Sequence, residues 1–201
     1  SLSFKTDTLG RSRFSLNSDL LSFKEIYARD LNITYDGADS SARIDVNADL
    51  LRLGSMVAYD NSLAADIKDN QVRLDLLYND KGEEQPFKGN LKATLAFPDT
   101  SAGYKVLVAL DNSTFTSDST GWSIPPSSVF IDKGRVQIRN FTLESEDQYL
   151  KADGIISDNP EDSCTVDLKN FDMSLANLFL KDPLKVSGRL SGNAKASALL
   201  G

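Results

Sequence analysis

The residues that could carry out chemistry are few. The chain of 201 residues has no histidine and one cysteine, Cys164, beside 29 aspartates and glutamates. Without imidazole there is no general base for a Ser/His/Asp or Cys/His arrangement. A zinc site would have one thiolate and no imidazole to offer. Cys164 lies in the strand-like run Cys164-Thr-Val-Asp-Leu168 with no basic neighbour to hold a thiolate, and reads as a small core residue. A single cysteine allows no intramolecular disulfide, so it says nothing about redox compartment. No Walker loop or dinucleotide-binding glycine pattern occurs, and Gly188 and Gly192 sit at alternating positions where glycine signals close backbone approach or a bend.

Paired carboxylates remain, because two acids alone can hydrolyse a glycoside. Glu83-Glu84 lies beside Gly82, Glu144, Glu146 and Asp147 lie past a strand end, and Glu161-Asp162 follows Asn159-Pro160. All three groups occupy places typical of solvated turn charges, and Trp122 is the one tryptophan available to stack a sugar. Asp158 with Asp162, and Asp36 with Asp39, are calcium candidates that lack a loop register with glycine and a terminal bidentate glutamate. The reading is therefore a non-catalytic chain with no cofactor and no metal.

The net charge is -7. A nucleic-acid binder needs a basic stripe to displace counterions from phosphates, and none is visible. An acidic surface is also repelled by anionic headgroups. No apolar run approaches the roughly 18 residues of a membrane span, and there is no signal peptide. The start at Ser1 and the apolar run Ala198-Leu199-Leu200-Gly201 give the expectation of one β-rich segment, 1–201, cut from a longer repeat-like chain.

Apolar residues recur with period two, the mark of a strand with one buried face. The sets are Ile44, Val46, Ala48 and Leu50; Leu74, Leu76 and Tyr78; Leu91, Ala93, Leu95 and Phe97; Val106, Val108 and Leu110; Val136 and Ile138; Val166 and Leu168. A last set runs Leu184, Val186, Gly188, Leu190, Gly192, Ala194 and Ala196. Tight-turn compositions fall between the runs at Asp36-Gly37, Asp80-Lys-Gly82, Asp132-Lys-Gly134 and Asp158-Asn-Pro160. Asp132-Lys-Gly134 separates Val129-Phe-Ile131 from Arg135-Val-Gln-Ile138 and predicts a hairpin. One short helix is expected over Asp172–Leu180, capped by Asp172 or Ser174. Asp19–Ala28 and Asp49–Val57 stay ambiguous, since both pair adjacent leucines with strand-like flanks. The whole predicts an all-β, long antiparallel meander with one apolar and one wet face.

A weak repeat is present. Val136-Gln-Ile-Arg-Asn-Phe-Thr-Leu143 and Val166-Asp-Leu-Lys-Asn-Phe-Asp-Met173 share one form at a spacing of about thirty residues, with Asp30-Leu-Asn-Ile-Thr-Tyr35 a more distant relative. Each copy places Asn-Phe where a strand is expected to end. The apolar face itself has two readings. It packs on a second sheet in a β-sandwich interaction or adhesion module of a cell-surface protein, or it lines a groove for an apolar ligand. The pattern alone favours the sandwich.

The stretch from Trp122 to Gly192 carries a family resemblance. A strand runs to Arg139-Asn-Phe141, then comes Leu150-Lys-Ala-Asp-Gly-Ile-Ile-Ser157, then a second strand to Lys169-Asn-Phe171. A short Leu-rich helix and Val186-Ser-Gly-Arg-Leu-Ser-Gly192 follow. This succession resembles the TamB (translocation and assembly module) and AsmA-like family, in its Bacteroides-type versions, and Leu31–Asn79 with Tyr59-Asp-Asn-Ser62 follows it more loosely. The resemblance implies a curved or U-shaped sheet with an apolar inner face, in a periplasmic protein of a Gram-negative bacterium anchored in the inner membrane. It implies a role in outer-membrane biogenesis, carrying phospholipid or another apolar ligand or meeting an outer-membrane assembly protein. It transfers no catalytic residue. The inward set it implies is Leu74, Leu76, Leu95, Val106, Val108, Leu110, Val136, Ile138, Val166 and Leu168, and it shifts the balance from sandwich to groove.

Overall fold

In a computed structural model the described residues are 1–8, 10–24, 26–53, 56–79, 88–98, 105–117, 120–178 and 185–199. They form β-strands and a single 3-10 turn, divided between two compact units. The first unit is Ser1–Leu95 with Phe115–Ser119, and the second is Ala96–Thr114 with Thr120–Gly201.

The first unit is built from β1 (Leu2–Thr6), β2 (Ser12–Phe23), β3 (Ile26–Ala38), β4 (Ser41–Leu53), β5 (Met56–Lys68), β6 (Gln71–Asn79) and β7 (Lys88–Ala96), each beside the next in chain order. From β1 to β6 every pairing is antiparallel. Chain-order neighbours follow from the turns. Asp69 and Asn70, at φ 50° and 58°, close β5 onto β6 with Lys68 opposite Gln71, the all-positive geometry that matches strand twist.

The turn expected at Asp36-Gly37 is corrected. Both residues lie inside β3, and the chain reverses at Asp39-Ser40, with Asp39 at φ 48°. Gly37 serves a close approach instead: the Tyr35 ring folds over it, and a Cβ there would collide with the phenol. Gly89 is covered by the Tyr78 ring in the same way, and burial pushes the Tyr78 hydroxyl up to about 12. The turn expected at Asp80-Lys-Gly82 lies outside the described residues.

The ambiguous segments Asp19–Ala28 and Asp49–Val57 are strand at their described residues except Lys24, which follows β2 in a turn; Glu25, Gly54 and Ser55 lie outside the described residues. Leu21, Ala28, Leu31, Ala48 and Leu51 pack together on one face with Ile33 and Val46. In β3 two residues, Arg29 and Asp30, separate Ala28 from Leu31, where strict alternation would leave one. The step is made by Asp30 at φ 50° and repeated in β5 by Asp60 at φ 45°. Beside it in β2 and β4 lie Asp19-Leu20 and Asp49-Leu50, so each leucine pair puts one member on the packed face and one outside it. Leu20 is 55% exposed. The buried Asn61 amide donates to the carbonyls of Ala48 (3.3 Å) and Ala58 (2.9 Å), satisfying backbone oxygens that flank the step.

The second unit contains β8 (Lys105–Leu110), β10 (Thr120–Ile124), β11 (Ser127–Asp132), β12 (Arg135–Ser145), β13 (Gln148–Ile156), β14 (Ser163–Asp172), the 3-10 turn Met173–Leu178 and β15 (Arg189–Ser197); the division between units falls within β9 (Ser113–Ser117). The order is β8-β11-β12-β13-β14-β15. β12 is long enough to take two neighbours on one edge: β11 beside Arg135–Arg139 and β10 beside Glu144. Pro125-Pro126 separates those two, since proline cannot continue a ladder. The hairpin at Asp132-Lys-Gly134 is present, with Lys133 and Gly134 at φ 39° and 79° and Asp132 opposite Arg135. Of the expected helix Asp172–Leu180, Met173–Leu178 is 3-10 and Phe179-Leu180 lie outside the described residues; it is capped by Asp172, whose Oδ1 accepts from Ser174 N at 2.9 Å.

The Asn-Phe motif does not end its strand. In β12, Arg139 and Asn140 together oppose Asp153, and in β14, Lys169 and Asn170 together oppose Ser191. Both are bulges, with Asn140 at φ 54° and Asn170 at φ 44°. Asparagine tolerates the left-handed region better than any residue but glycine. Each freed amide finds the residue opposite: Asn140 N–H donates to Asp153 Oδ2 at 2.9 Å and Asn170 N–H to Ser191 Oγ at 2.7 Å.

Candidate apolar binding face

Residues directly opposite in an antiparallel pair share a face, so the registers of the second unit assemble its surface row by row. One row reads Val106, Ile131, Val136, Ile156, and the next Val108, Val129, Ile138, Gly154, Cys164, Ala196. Leu110 lies opposite Ser127. Past the β12 bulge the rows continue as Phe141, Ala152, Val166, Ala194 and then Leu143, Leu150, Leu168, Gly192. The seven residues expected on the apolar face of this unit (Val106, Val108, Leu110, Val136, Ile138, Val166, Leu168) are thus brought together, all half-buried. The reverse face is mixed: Lys105, Asp132 and Arg135 form one row, Leu107, Phe130, Gln137 and Ile155 the next, and Thr142, Lys151, Asp167 and Asn193 a polar row past the β12 bulge.

In the first unit Leu74 is opposite Ala65 and Leu76 opposite Leu63, which continue to Ile44 and Val46. Leu95 is half-buried on β7. No large side chain is fully buried among those described. The larger apolar residues of the face are intermediate in exposure, while the buried positions of the first unit are mostly small, as with Ala28, Ala48, Ala58 and Ala65.

The apolar face has one densely buried end. Trp122, Phe171 and Leu175 are 3%, 6% and 8% exposed. The Trp122 and Phe171 rings meet edge-on with centroids 5.7 Å apart, a favoured aromatic geometry. Ser145 and Gln148, opposite one another at the β12–β13 turn, are buried beside this end of the rows, and Gln148 Oε1 accepts from Asp172 N at 3.0 Å.

Sequence reasoning missed Phe141, Leu143, Leu150, Ile156 and Phe171. The bulge reverses the alternation that would have revealed those beyond it. The signal available was the repeated Asn-Phe itself.

The acidic groups are scattered. Asp162 accepts from Arg135 Nε at 3.2 Å and from Ser157 Oγ at 2.9 Å, and these two hydrogen bonds hold its carboxyl below the ordinary aspartate value. Asp36 accepts from Arg13 Nε at 2.8 Å. Glu144 stands opposite Tyr149 on the reverse face, and Glu146-Asp147 forms the β12–β13 turn. Glu83-Glu84 lies outside the described residues. Among the described residues no three potential ligands gather as a metal site. Cys164 is buried, and burial, then the charge of Asp153, pushes its thiol up. A shallow depression lies around Asn140, Thr142, Lys151, Asp153, Thr165 and Asp167, and beside it Tyr149 Oη donates to Asp167 Oδ2 at 3.2 Å. Among the described residues no helix is long and apolar enough to cross a membrane.

No protein-family model, curated protein or solved structure matches the chain.

Proposed function

We propose that this chain is a non-catalytic periplasmic segment of a TamB/AsmA-like protein whose apolar sheet face holds acyl chains during lipid transport or outer-membrane biogenesis. The parent is anchored in the inner membrane, and phospholipid is the ligand. The supporting observation is the assembly of the expected residues into continuous apolar rows whose large side chains are half-buried. A closed sandwich core would bury such rows fully.

The physics of the reading is enclosure. Each methylene removed from water contributes about 0.8 kcal/mol, and the ladder satisfies the backbone polar groups of the wall, so no unpaired N–H or C=O faces the chain. Val108 and Leu110, on alternate positions of β8, face the site. Aspartate at either place should abolish lipid co-purification with the parent protein while circular dichroism keeps its β signature. Undiminished lipid in both Val108→Asp and Leu110→Asp would contradict the proposal.

A further inference from the structure

We propose that the first unit touches a phospholipid bilayer with one end of strands β2 to β5, whose hairpin tips enter the headgroup boundary. The proposal stands apart from the acyl-chain reading, which concerns a face of the sheet and not the ends of its strands.

The two ends of these strands differ in chemistry. At one end the turns are polar and exposed, Asp39-Ser40 between β3 and β4 and Asp69-Asn70 after β5. At the other end the registers set Phe23, Ile26, Leu53 and Met56 side by side as the last row before the turns. Chain reversals in water draw on polar residues, yet here Phe23 is 62% and Ile26 40% exposed.

Behind the tips both faces of the sheet are apolar. Leu21, Ala28, Leu51 and Ala58 form the next row on the face of the tip row. The reverse face carries Tyr27 and Val57, then Leu20, Leu50 and Tyr59, interleaved with Ser22, Arg52 and Arg29. Leu20 and Val57 are exposed there, at 55% and 37%. No acid occurs in these rows, and the next residue inward on each strand is an aspartate: Asp19, Asp30, Asp49 and Asp60.

That layering selects the occupant. A protein laid on one face would leave the apolar residues of the other in water, whereas a bilayer boundary receives the tips and both faces together. Charge agrees. Lys24 in the β2–β3 turn holds its ammonium 5.4 Å from the Phe23 ring centroid, and Arg52 stands one residue behind the tip row. They outnumber Glu25, the one acid of that stretch, and cations beside apolar tips suit the level of lipid phosphates. Depth agrees as well. From Phe23 back to Leu20 is about 10 Å, and interfacial elements sit roughly 5–10 Å deep, so the aspartates stay in water.

The test is flotation of the full chain with phosphatidylcholine vesicles on a density gradient, beside Phe23→Asp, Ile26→Asp and Val108→Asp. Both tip substitutions replace exposed side chains, so their urea midpoints should match that of the unsubstituted chain. Should either midpoint fall, Phe23→Gln and Ile26→Gln repeat the comparison without a charge. The expected result is flotation of the unsubstituted chain and of Val108→Asp, with at least about tenfold less floated protein for both tip variants. No flotation of the unsubstituted chain, or undiminished flotation of either tip variant, would overturn the proposal and leave the acyl-chain reading standing. Loss in Val108→Asp with the tip variants unaffected would move bilayer contact to the sheet face and overturn it too. Self-association without flotation, abolished by the tip substitutions in sedimentation, would overturn it by putting a second copy on the tips.

Discussion

At the scale of single residues the fold depends on a few backbone positions that only particular side chains tolerate. Gly154 is the clearest. It sits at φ 126°, and a Cβ there would meet the β14 backbone, with Cys164 Cα at 2.9 Å. Both faults act together in Gly154→Ala. The variant should lose about 1–3 kcal/mol of stability, the range for a strained backbone position, read as a lower midpoint in urea with an unchanged slope. An unchanged midpoint would show that the β13–β14 approach is not as tight as drawn. Asp162 offers a test of a different kind. Its carboxyl is held below the ordinary value by hydrogen bonds from Arg135 and then Ser157. A carboxylate with a depressed folded-state value stabilises above its unfolded value, and that contribution is lost as pH falls through the folded one. Stability should therefore drop as pH is lowered below about 4, and Asp162→Asn should flatten that part of the profile. An identical acid limb in the variant would remove Asp162 from the account. Much of this residue-level detail was not legible beforehand. Gly154 stood within a strand-like run, and nothing in Asp-Gly-Ile-Ile announces that a neighbouring backbone comes so near. The same composition at Asp36-Gly37 reads as a turn, because Asp-Gly serves equally for a reversal and for a glycine lying under a tyrosine ring.

At the scale of elements the unit of construction is a strand with a built-in step. Asp30, Asp60, Asn140 and Asn170 each hold a positive φ inside a strand, at 50°, 45°, 54° and 44°, and within each unit the two are about thirty residues apart. At each step the side-chain alternation slips by one, so that apolar residues on both sides of it return to the same face. Strict period two therefore reaches Val136 and Ile138 and breaks at Asn140, so that Asn-Phe reads as a strand end. The repeated Asn-Phe was visible in the sequence; its meaning required the register. The hairpin at Lys133-Gly134 was legible because its turn chemistry is local, whereas the Asp69-Asn70 turn carries no glycine to flag it. The step makes a direct prediction. Asn140→Gly keeps access to positive φ and should leave stability within a few tenths of a kcal/mol. Asn140→Val, with a branched Cβ in the same conformation, should cost about 1–2 kcal/mol. Equal midpoints for the two variants would mean that the bulge tolerates a shift to negative φ.

At the scale of the whole chain, the all-β class and antiparallel meander were readable because alternation and short turns are dense and local. The ten expected positions could be named before any register was known for the same reason, and in the second unit seven of them fall on one continuous face. The buried aromatic end of that face was not readable, since Trp122 and Phe171 are brought together only by strands between them. The surface chemistry is consistent with a wall that works by shape and solvation. Its ion pairs, such as Arg13–Asp36 and Arg43–Asp66, are exposed cross-strand contacts on the polar side, a class that contributes little each. The central claim is that the apolar face meets lipid while the reverse face does not. Leu168 and Lys169 are adjacent in β14 and belong to opposite faces, Leu168 with Leu150 and Lys169 with Tyr149. The most direct measurement places a photoreactive residue at each in turn in the parent protein within intact cells, then weighs the adducts. The account predicts a lipid adduct at Leu168 and none at Lys169. Lipid at neither position, or at both alike, would contradict it.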